Sequence, residues 1–241
     1  MNFKPDLVRG TLIRRYKRFL SDVRLDDGRE ITAHCPNPGS MLSLLTESAN
    51  GVPQQCWLTP HDDPKRKLQW TLELLDVDGV PVCVNTQRPN SIAAEAVANG
   101  FFPELAGYRS LRREVKYGRN SRIDLLLEDP DRPPCYIEVK GVTLSRTPGI
   151  AEFPDSVTRR GAKHLDELAD MVRDGARAVM LYLSPRPDGR TFRLADDIDP
   201  AYSEAFNAAV SAGVEVLACA CTVSAKTIYP SERLRIDVGH V

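Results

Sequence analysis

The chain has 241 residues, of which 42% are hydrophobic and 27% are charged, as in an ordinary folded globular protein. Its 32 basic and 33 acidic residues give a formal net charge of −1, which excludes a protein that binds nucleic acid through bulk positive charge. Any nucleic-acid binding must therefore come from local basic patches.

The sequence also lacks the usual membrane and export signals. No apolar run reaches the roughly 18–20 residues that a membrane span requires, and the first ten residues lack the apolar core of a secretory signal. The six cysteines include no CxxC pair, which is typical of a reduced chain with buried thiols. These features predict a cytoplasmic protein with no membrane association.

The first 80 residues predict an all-β domain. A strand over Leu12–Leu20 is followed by a hairpin turn signal at Asp26–Arg29 and a proline-rich loop at Pro36–Met41. Two more short strands are expected at 56–59 and 70–77. Short strands at close spacing, separated by Gly, Pro and Asn, are typical of a small barrel of the OB type. Such barrels often bind single strands through basic grooves and stacked aromatic rings.

The first strand of this domain carries a run of basic residues with aromatic residues between them. Four basic side chains are candidate DNA contacts, namely Arg14, Arg15, Lys17 and Arg18, and the interleaved aromatics are Tyr16 and Phe19. One interpretation is a face that follows the phosphate backbone with rings that stack on bases. The other is a solvated strand face whose aromatics point into the core, and the sequence leaves both open.

A second domain is predicted over residues 81–241, after a junction at Gly79–Pro81. Ser91 is a candidate cap for a helix from Ile92 to about Asn99. Glu95 lies on this helix and is a candidate additional catalytic carboxylate, although an exposed helix glutamate would look the same in sequence. The later pattern predicts the order β-β-β-α-β-α-β from Leu111 onward, which is an α/β arrangement. The fold class is therefore α+β with two domains.

The centre of the second domain is the stretch Arg122–Val142. Asp124 interrupts an apolar strand, and Glu138 and Lys140 share one face of the next strand. Two neighbouring carboxylates resist joint ionisation unless a positive charge compensates them, and Mg²⁺ or Mn²⁺ bound by oxygen ligands does this. Asp124 and Glu138 are therefore the predicted metal ligands, and Lys140 can hold a water or a phosphate oxygen.

The spacing of these residues resembles the PD-(D/E)xK phosphodiesterase pattern, in which an Asp precedes a Glu-x-Lys. Here thirteen residues separate Asp124 from Glu138. The alternative is that Glu138 and Lys140 form an exposed ion pair across strands. Asp124 favours the site, because a carboxylate inside an apolar strand is costly without a partner.

Further basic residues flank these carboxylates and are candidate DNA contacts. They are Arg112, Arg113, Lys116 and Arg122 on the preceding strands, and Arg159, Arg160 and Lys163 on a helix expected from Asp155 or Ser156 to about Asp174. A charged edge strand protected against aggregation is the alternative for the first group. His164 on the same helix is either a proton carrier or a structural residue.

Several long stretches resemble the sugar fermentation stimulation protein A family over essentially the full chain. They are LIRRYKRFL (Leu12–Leu20), HCPNPGSM (His34–Met41), SRIDLLL (Ser121–Leu127), YIEVKGVTL (Tyr136–Leu144) and FPDSVTRRGAKHLDEL (Phe153–Leu168). The resemblance implies an N-terminal OB-fold, a C-terminal PD-(D/E)xK nuclease-like domain and DNA binding. It also implies a regulatory link to maltose metabolism.

Two functions remain open from the sequence. One is a Mg²⁺- or Mn²⁺-dependent DNA endonuclease with Asp124, Glu138 and Lys140 at its centre. The other is a non-catalytic, DNA-binding transcriptional regulator of sugar metabolism that keeps the nuclease fold. The sequence does not fix the oligomeric state, and a homo-oligomer stays open.

Overall fold

A computed structural model describes residues 1–45, 53–118 and 121–238. The N-terminal part forms one six-stranded sheet. Its strands are β1 Val8–Tyr16, β2 Leu20–Leu25, β3 Glu30–His34, β4 Gln55–Pro60, β5 Trp70–Val77 and β6 Val80–Cys83.

This sheet curls into a small barrel with the strand order β3-β2-β1-β4-β5-β6. A parallel pairing of His34 with Thr71 joins β3 to β5 and closes the first five strands. The interior is filled by fully buried side chains such as Val23, Leu58 and Leu72. At Gly10, any Cβ would lie 2.8 Å from the Arg24 carbonyl oxygen, so only glycine lets β1 pass this close to β2. The predicted barrel is confirmed, and β6 continues its sheet to Cys83, beyond the predicted junction.

The C-terminal part is built on a second six-stranded sheet. Its elements, with those of a small three-stranded sheet, are α1 Arg88–Ala98, β7 Ser110–Tyr117, β8 Ser121–Asp129, β9 Arg132–Gly141, β10 Ile150–Phe153, α2 Arg159–Arg173, β11 Arg177–Ser184, β12 Thr191–Leu194, α3 Pro200–Ser211, β13 Glu215–Val223, β14 Ile228–Arg233 and β15 Arg235–Ile236. The main sheet has the order β14-β13-β11-β9-β8-β7, and β10, β12 and β15 form the small one. The predicted order β-β-β-α-β-α-β is found in β7, β8, β9, α2, β11, α3 and β13, whereas β10, β12, β14 and β15 were not predicted.

Helices cover both faces of the main sheet, so that its central strands are buried. Ile92 and Val97 of α1 pack with Ile137 in one apolar cluster. Leu165 of α2 packs with Tyr182 in a second cluster, on the opposite face. This layering explains the near-continuous apolar sequence of β11. Among the helices of the described residues, none combines the length and the apolar character needed to cross a bilayer.

Two helix starts differ from the sequence prediction. The predicted cap Ser91 is wrong, because α1 begins one turn earlier at Arg88, where Pro89 suits the first turn of a helix. The predicted start of α2 at Asp155 or Ser156 is also wrong. Thr158 caps that helix, and its Oγ1 accepts a hydrogen bond from the Gly161 amide at 3.1 Å.

Contacts of several kinds join the two domains. Phe3 precedes the barrel in sequence but packs in the apolar core of the C-terminal domain. The buried Glu73 of β5 accepts hydrogen bonds from Arg88 at 2.6 and 2.9 Å. The Ser40 hydroxyl donates to the Asp155 carbonyl oxygen at 2.8 Å. The barrel is therefore fixed against the beginnings of α1 and α2.

Candidate active site

The site lies where β8 and β9 separate. Their ladder pairs Leu125 with Ile137, and the next residue of β8 toward its start is Asp124. At this point the Asp124 side chain, and not a backbone carbonyl, bonds to β9: its Oδ2 accepts a hydrogen bond from the Val139 amide at 2.7 Å. Its Oδ1 accepts a hydrogen bond from the Asn90 side chain on α1 at 2.6 Å. Two elements thus fix the orientation of this carboxylate.

Glu138 is 3% exposed and makes the centre of a buried polar cluster. Its Oε1 accepts a hydrogen bond from Lys140 Nζ at 2.7 Å and is also hydrogen-bonded to His164 Nδ1 on α2. Its Oε2 is also buried and has no hydrogen-bond partner among the described residues. A buried carboxylate oxygen without a partner is costly and points to a missing ligand.

The proton of His164 can be placed from its neighbours. Arg160 Nε lies 3.3 Å from His164 Nε2, and an arginine can only donate, so Nε2 is the acceptor. The ring proton of a neutral His164 then sits on Nδ1 and is donated to Glu138. His164 therefore orients Glu138, and it is itself oriented by Arg160.

The two carboxyl groups have their pKa values pushed in opposite directions. Burial, followed by the charge of Glu138, raises the pKa of Asp124 to about 6, against the opposing effects of the Val139 amide and Lys140. Burial also disfavours the charged form of Glu138, but the hydrogen bond from His164 and the charge of Lys140 outweigh it, so its pKa is lowered. Such a separation of neighbouring carboxyls is typical of functional sites.

The donor atoms suit a hard divalent cation. Within the described ranges, no group of three or more His, Cys, Asp or Glu side chains is arranged to hold a metal ion. Mg²⁺ is nevertheless commonly bound through only one or two carboxylates, with waters and substrate oxygens completing its shell. Asp124 and Glu138, with one unpartnered buried oxygen, fit that pattern.

Glu95, predicted as an additional carboxylate, lies away from this cluster. Its half-exposed side chain forms an ion pair with the Met1 amino group at 2.8 Å. Glu95 and Asn90 are five positions apart on α1, so they face different directions. Asn90 is the residue of this helix that reaches the site, and it was missed because the predicted helix began after it.

The basic residues of the C-terminal domain differ in whether they already have partners within the protein. Arg112 faces Glu128 at 3.3 Å, Arg113 donates to the Ser91 hydroxyl, and Arg122 donates to the Glu114 carbonyl oxygen. Lys163 lies 3.4 Å from Glu167, and Arg160 is held by His164. Lys116 and Arg159 are exposed and form no hydrogen bond or ion pair with a described residue. These two are the predicted DNA contacts of the C-terminal domain that have no partner within the described protein.

The basic residues of the barrel are mostly engaged within the domain. Arg14 pairs with Asp22 at 2.8 Å, and Arg15 donates to the backbone oxygens of Asn37 and Gly39. Arg18 donates to the Pro38 carbonyl oxygen at 2.7 Å. The exposed Lys17 has no partner in the described part of the chain, and Phe19, two residues later, is 47% exposed instead of packed in the core.

Known proteins resemble this chain over its whole length. A family model described as SfsA N-terminal OB domain matches residues 13–84, and one described as Sugar fermentation stimulation protein RE domain matches residues 87–227. A sugar fermentation stimulation protein homolog of Maricaulis maris is 52% identical, with 99% of this chain and all of the relative covered. The homolog of Rhodospirillum centenum is 55% identical, with 98% of this chain and all of the relative covered.

A solved structure has the same fold. The structure of Pyrococcus furiosus SfsA in complex with Ca²⁺ superposes with a TM-score of 0.85 at 26% identity and covers 98% of each chain. The N-terminal barrel is thus an OB domain, and the C-terminal domain is α/β. By these matches, the chain belongs to the sugar fermentation stimulation protein family.

Proposed function

We propose that this protein is a metal-dependent nuclease of the PD-(D/E)xK type that hydrolyses phosphodiester bonds in DNA. The observation that carries the proposal is the meeting of Asp124, Glu138 and Lys140 where β8 and β9 separate, with the buried Oε2 of Glu138 left without a partner among the described residues. The ordinary alternative, an ion pair facing bulk water, does not describe Glu138, because its side chain is only 4% exposed.

Each residue of the cluster has a role that follows from its contacts. Asp124 and Glu138 would hold Mg²⁺ or Mn²⁺, and a bound cation neutralises the scissile phosphate and lowers the pKa of a coordinated water. Lys140 has three donors and uses one on Glu138, so it can also hold the attacking water or a phosphate oxygen. His164 and Asn90 keep the two carboxylates in place.

A relative supports the metal part of this proposal. The Pyrococcus furiosus protein is described in complex with Ca²⁺, and Ca²⁺ and Mg²⁺ both select oxygen ligands. The basic residues around the site would contact the phosphate backbone, with Lys116 and Arg159 the freest of them. On the barrel, Lys17 offers the same kind of contact.

Cleavage assays on plasmid and single-stranded DNA with Mg²⁺ or Mn²⁺ test the proposal. Asp124→Ala and Lys140→Ala are each expected to reduce the cleavage rate about 10²- to 10⁴-fold, as for loss of a group that acts in the transition state. Glu204→Gln, an exposed change on α3, is the matched control and should cleave like the wild type. Cleavage that survives Asp124→Ala unchanged would refute the assignment.

A second candidate is a non-catalytic DNA-binding regulator on the same fold. It is favoured by the hydrogen bonds that already occupy the carboxylates. Both oxygens of Asp124 and one of Glu138 accept hydrogen bonds from the protein. This candidate predicts DNA binding that falls steeply with salt and weakens in Lys17→Ala, with no cleavage under either metal. DNA binding that does not respond to salt would argue against both candidates.

A further inference from the structure

A cleft of about 470 Å³ lies between the two domains, and Lys140 lines it. The loop Asn37–Gly39 of the barrel forms one wall, and the segment Phe153–Thr158 before α2 forms the other. The Asp155 carboxylate fastens the walls together, because its Oδ2 accepts from the Met41 amide at 3.3 Å. The volume of the cleft lies within the roughly 300–1,000 Å³ that is usual for pockets that enclose a small molecule.

The walls of this cleft suit an uncharged, flat group better than a phosphate. Val84, Pro89, Leu144 and Phe153 supply apolar surface. The acidic Glu152 also lines the cleft, but it is fully buried and paired with two arginines, Arg146 and Arg193, each at 2.9 Å. Apolar walls with a few fixed polar groups are the usual composition of a specific pocket.

Asn37 is a polar group whose position in this cleft is fixed. The residue is 4% exposed, its Oδ1 accepts from the Gly39 amide at 3.0 Å, and its carbonyl oxygen accepts from Arg15 at 2.9 Å. The side-chain NH₂ group makes no hydrogen bond with any described residue. It therefore offers two donors at a set position, which suit the acceptor atoms on the edge of a base.

The turn that joins β1 to β2 places a cation at the cleft. Arg18 lines it and is held by the Pro38 carbonyl oxygen. Lys17 and Arg18 both adopt positive φ angles, 48° and 65°, in the turn that joins β1 to β2. Residues other than glycine rarely adopt this backbone conformation. The turn carries two cations and then the 47%-exposed Phe19. Cations and an exposed ring are the features with which OB domains hold an unpaired strand.

We propose that this cleft receives one unpaired nucleobase of the nucleic acid substrate, with the neighbouring phosphate at Lys140. The inference rests on the proposed function and narrows its substrate to single strands, or to duplexes from which a nucleotide is unpaired or flipped. A base pair inside a duplex is stacked between its neighbours and cannot reach into a cleft, whereas an extruded base can.

Fluorescence anisotropy in EDTA tests the pocket without cleavage. Labelled single-stranded DNA, single-stranded RNA, a perfect duplex and a duplex with one unpaired nucleotide are compared at equal length and salt. Single strands and the interrupted duplex are expected to bind at least about 10-fold more tightly than the perfect duplex. Equal affinity for the perfect duplex would overturn the proposal, and the RNA arm shows whether the pocket also accepts ribose.

Two variants locate the effect in the cleft. Asn37→Leu removes the donors, and Val157→Trp fills the rim at a position that is 68% exposed and therefore tolerant. Both should remove most of the preference for unpaired strands, while Asn207→Leu, an exposed change on α3, should keep it. If Asn37→Leu does not fold, Val157→Trp decides alone, and an unchanged preference refutes the pocket.

These measurements separate the pocket from the nuclease proposal. Binding in EDTA requires neither metal nor hydrolysis. A preference for unpaired strands in a protein that never cleaves would leave the pocket standing and overturn only the catalytic assignment. Cleavage of perfect duplex with no such preference would do the reverse.

Discussion

The cluster on β8 and β9 and the hairpin of β1 and β2 both carry several charges, but they hold them differently. Glu138 and His164 are buried with Lys140 beside them, and the three side chains come from β9 and α2, which are distant in sequence. Arg14 and Asp22 lie on adjacent strands, and the arginine side chain is 67% exposed. The buried charges cannot be rearranged without a large free-energy cost, whereas the exposed ones can be replaced by water.

This difference separates positions suited to chemistry from positions suited to binding. A catalytic group has to stay in place, which burial and several partners achieve. A phosphate contact needs only charge within reach, and solvent screens each such contact. We therefore expect single changes to have large effects in the buried clusters and small effects on the hairpin.

The largest expected effect on stability comes from Arg88→Ala. Glu73 is 1% exposed and its two oxygens accept hydrogen bonds from Arg88 at 2.6 and 2.9 Å, so its charge would lose its main partner. The free energy of unfolding, measured in urea, should fall by about 3–5 kcal/mol. The double variant Glu73→Gln with Arg88→Ala should recover part of this loss. A loss below about 1 kcal/mol would place this pair with the exposed ones.

A smaller effect on the free energy of unfolding is expected from the ionisation of Asp124 as the pH of a metal-free buffer rises. Burial, then the charge of Glu138, raises the pKa of Asp124 from 3.8 to about 6 in the folded protein. Between these values the unfolded chain releases the proton that the folded protein keeps, so this group destabilises the fold as pH rises from about 4 to 6. Its contribution, found by comparison with Asp124→Asn, should be about 2 kcal/mol.

Added Mg²⁺ should act on this same pH range. A cation at Asp124 favours the ionised carboxylate, so Mg²⁺ should raise the thermal midpoint of the wild type more at pH 7.5 than at pH 4. Asp124→Asn should show a weaker rise at pH 7.5. Equal stabilisation of both proteins at both pH values would show that the ion binds elsewhere.

The smallest effect on stability is expected from the exposed pair of Arg24 and Glu30. Their side chains are 62% and 60% exposed, so the 2.8 Å contact is surrounded by water. Arg24→Ala should lower the free energy of unfolding by less than about 1 kcal/mol, and salt should reduce the difference further. A loss as large as that of Arg88→Ala would remove the distinction between the buried and exposed charges.

Glu95→Gln sharpens the comparison at the site itself. The sequence made Glu95 a candidate carboxylate, but its side chain is half exposed and paired with the Met1 amino group. We expect this variant to keep both the cleavage rate and the Mg²⁺-dependent rise in thermal midpoint. A loss of either would show that Glu95 acts at the metal site after all, and would imply that α1 rotates when the metal binds.

Local pattern predicted much of this fold and the centre of the site. Strand alternation placed Glu138 and Lys140 on one face, and the two side chains touch. The hydrogen bonds of Asn90 and Arg160 were not predictable in the same way. They depend on how α1 and α2 pack on the sheet, and helix periodicity does not contain that information. The partners of Arg15 and Arg18 were not predictable either, because the carbonyl oxygens that accept from them come from a loop about 20 residues away in sequence.

Anomalous scattering from Mn²⁺-soaked crystals tests the central claim most directly. We predict a peak within about 2.5 Å of one oxygen from each of Asp124 and Glu138, absent from crystals of Glu138→Gln soaked in the same way. No peak between these carboxylates at millimolar Mn²⁺, or a peak that Glu138→Gln leaves unchanged, would contradict a metal-dependent nuclease site in this protein.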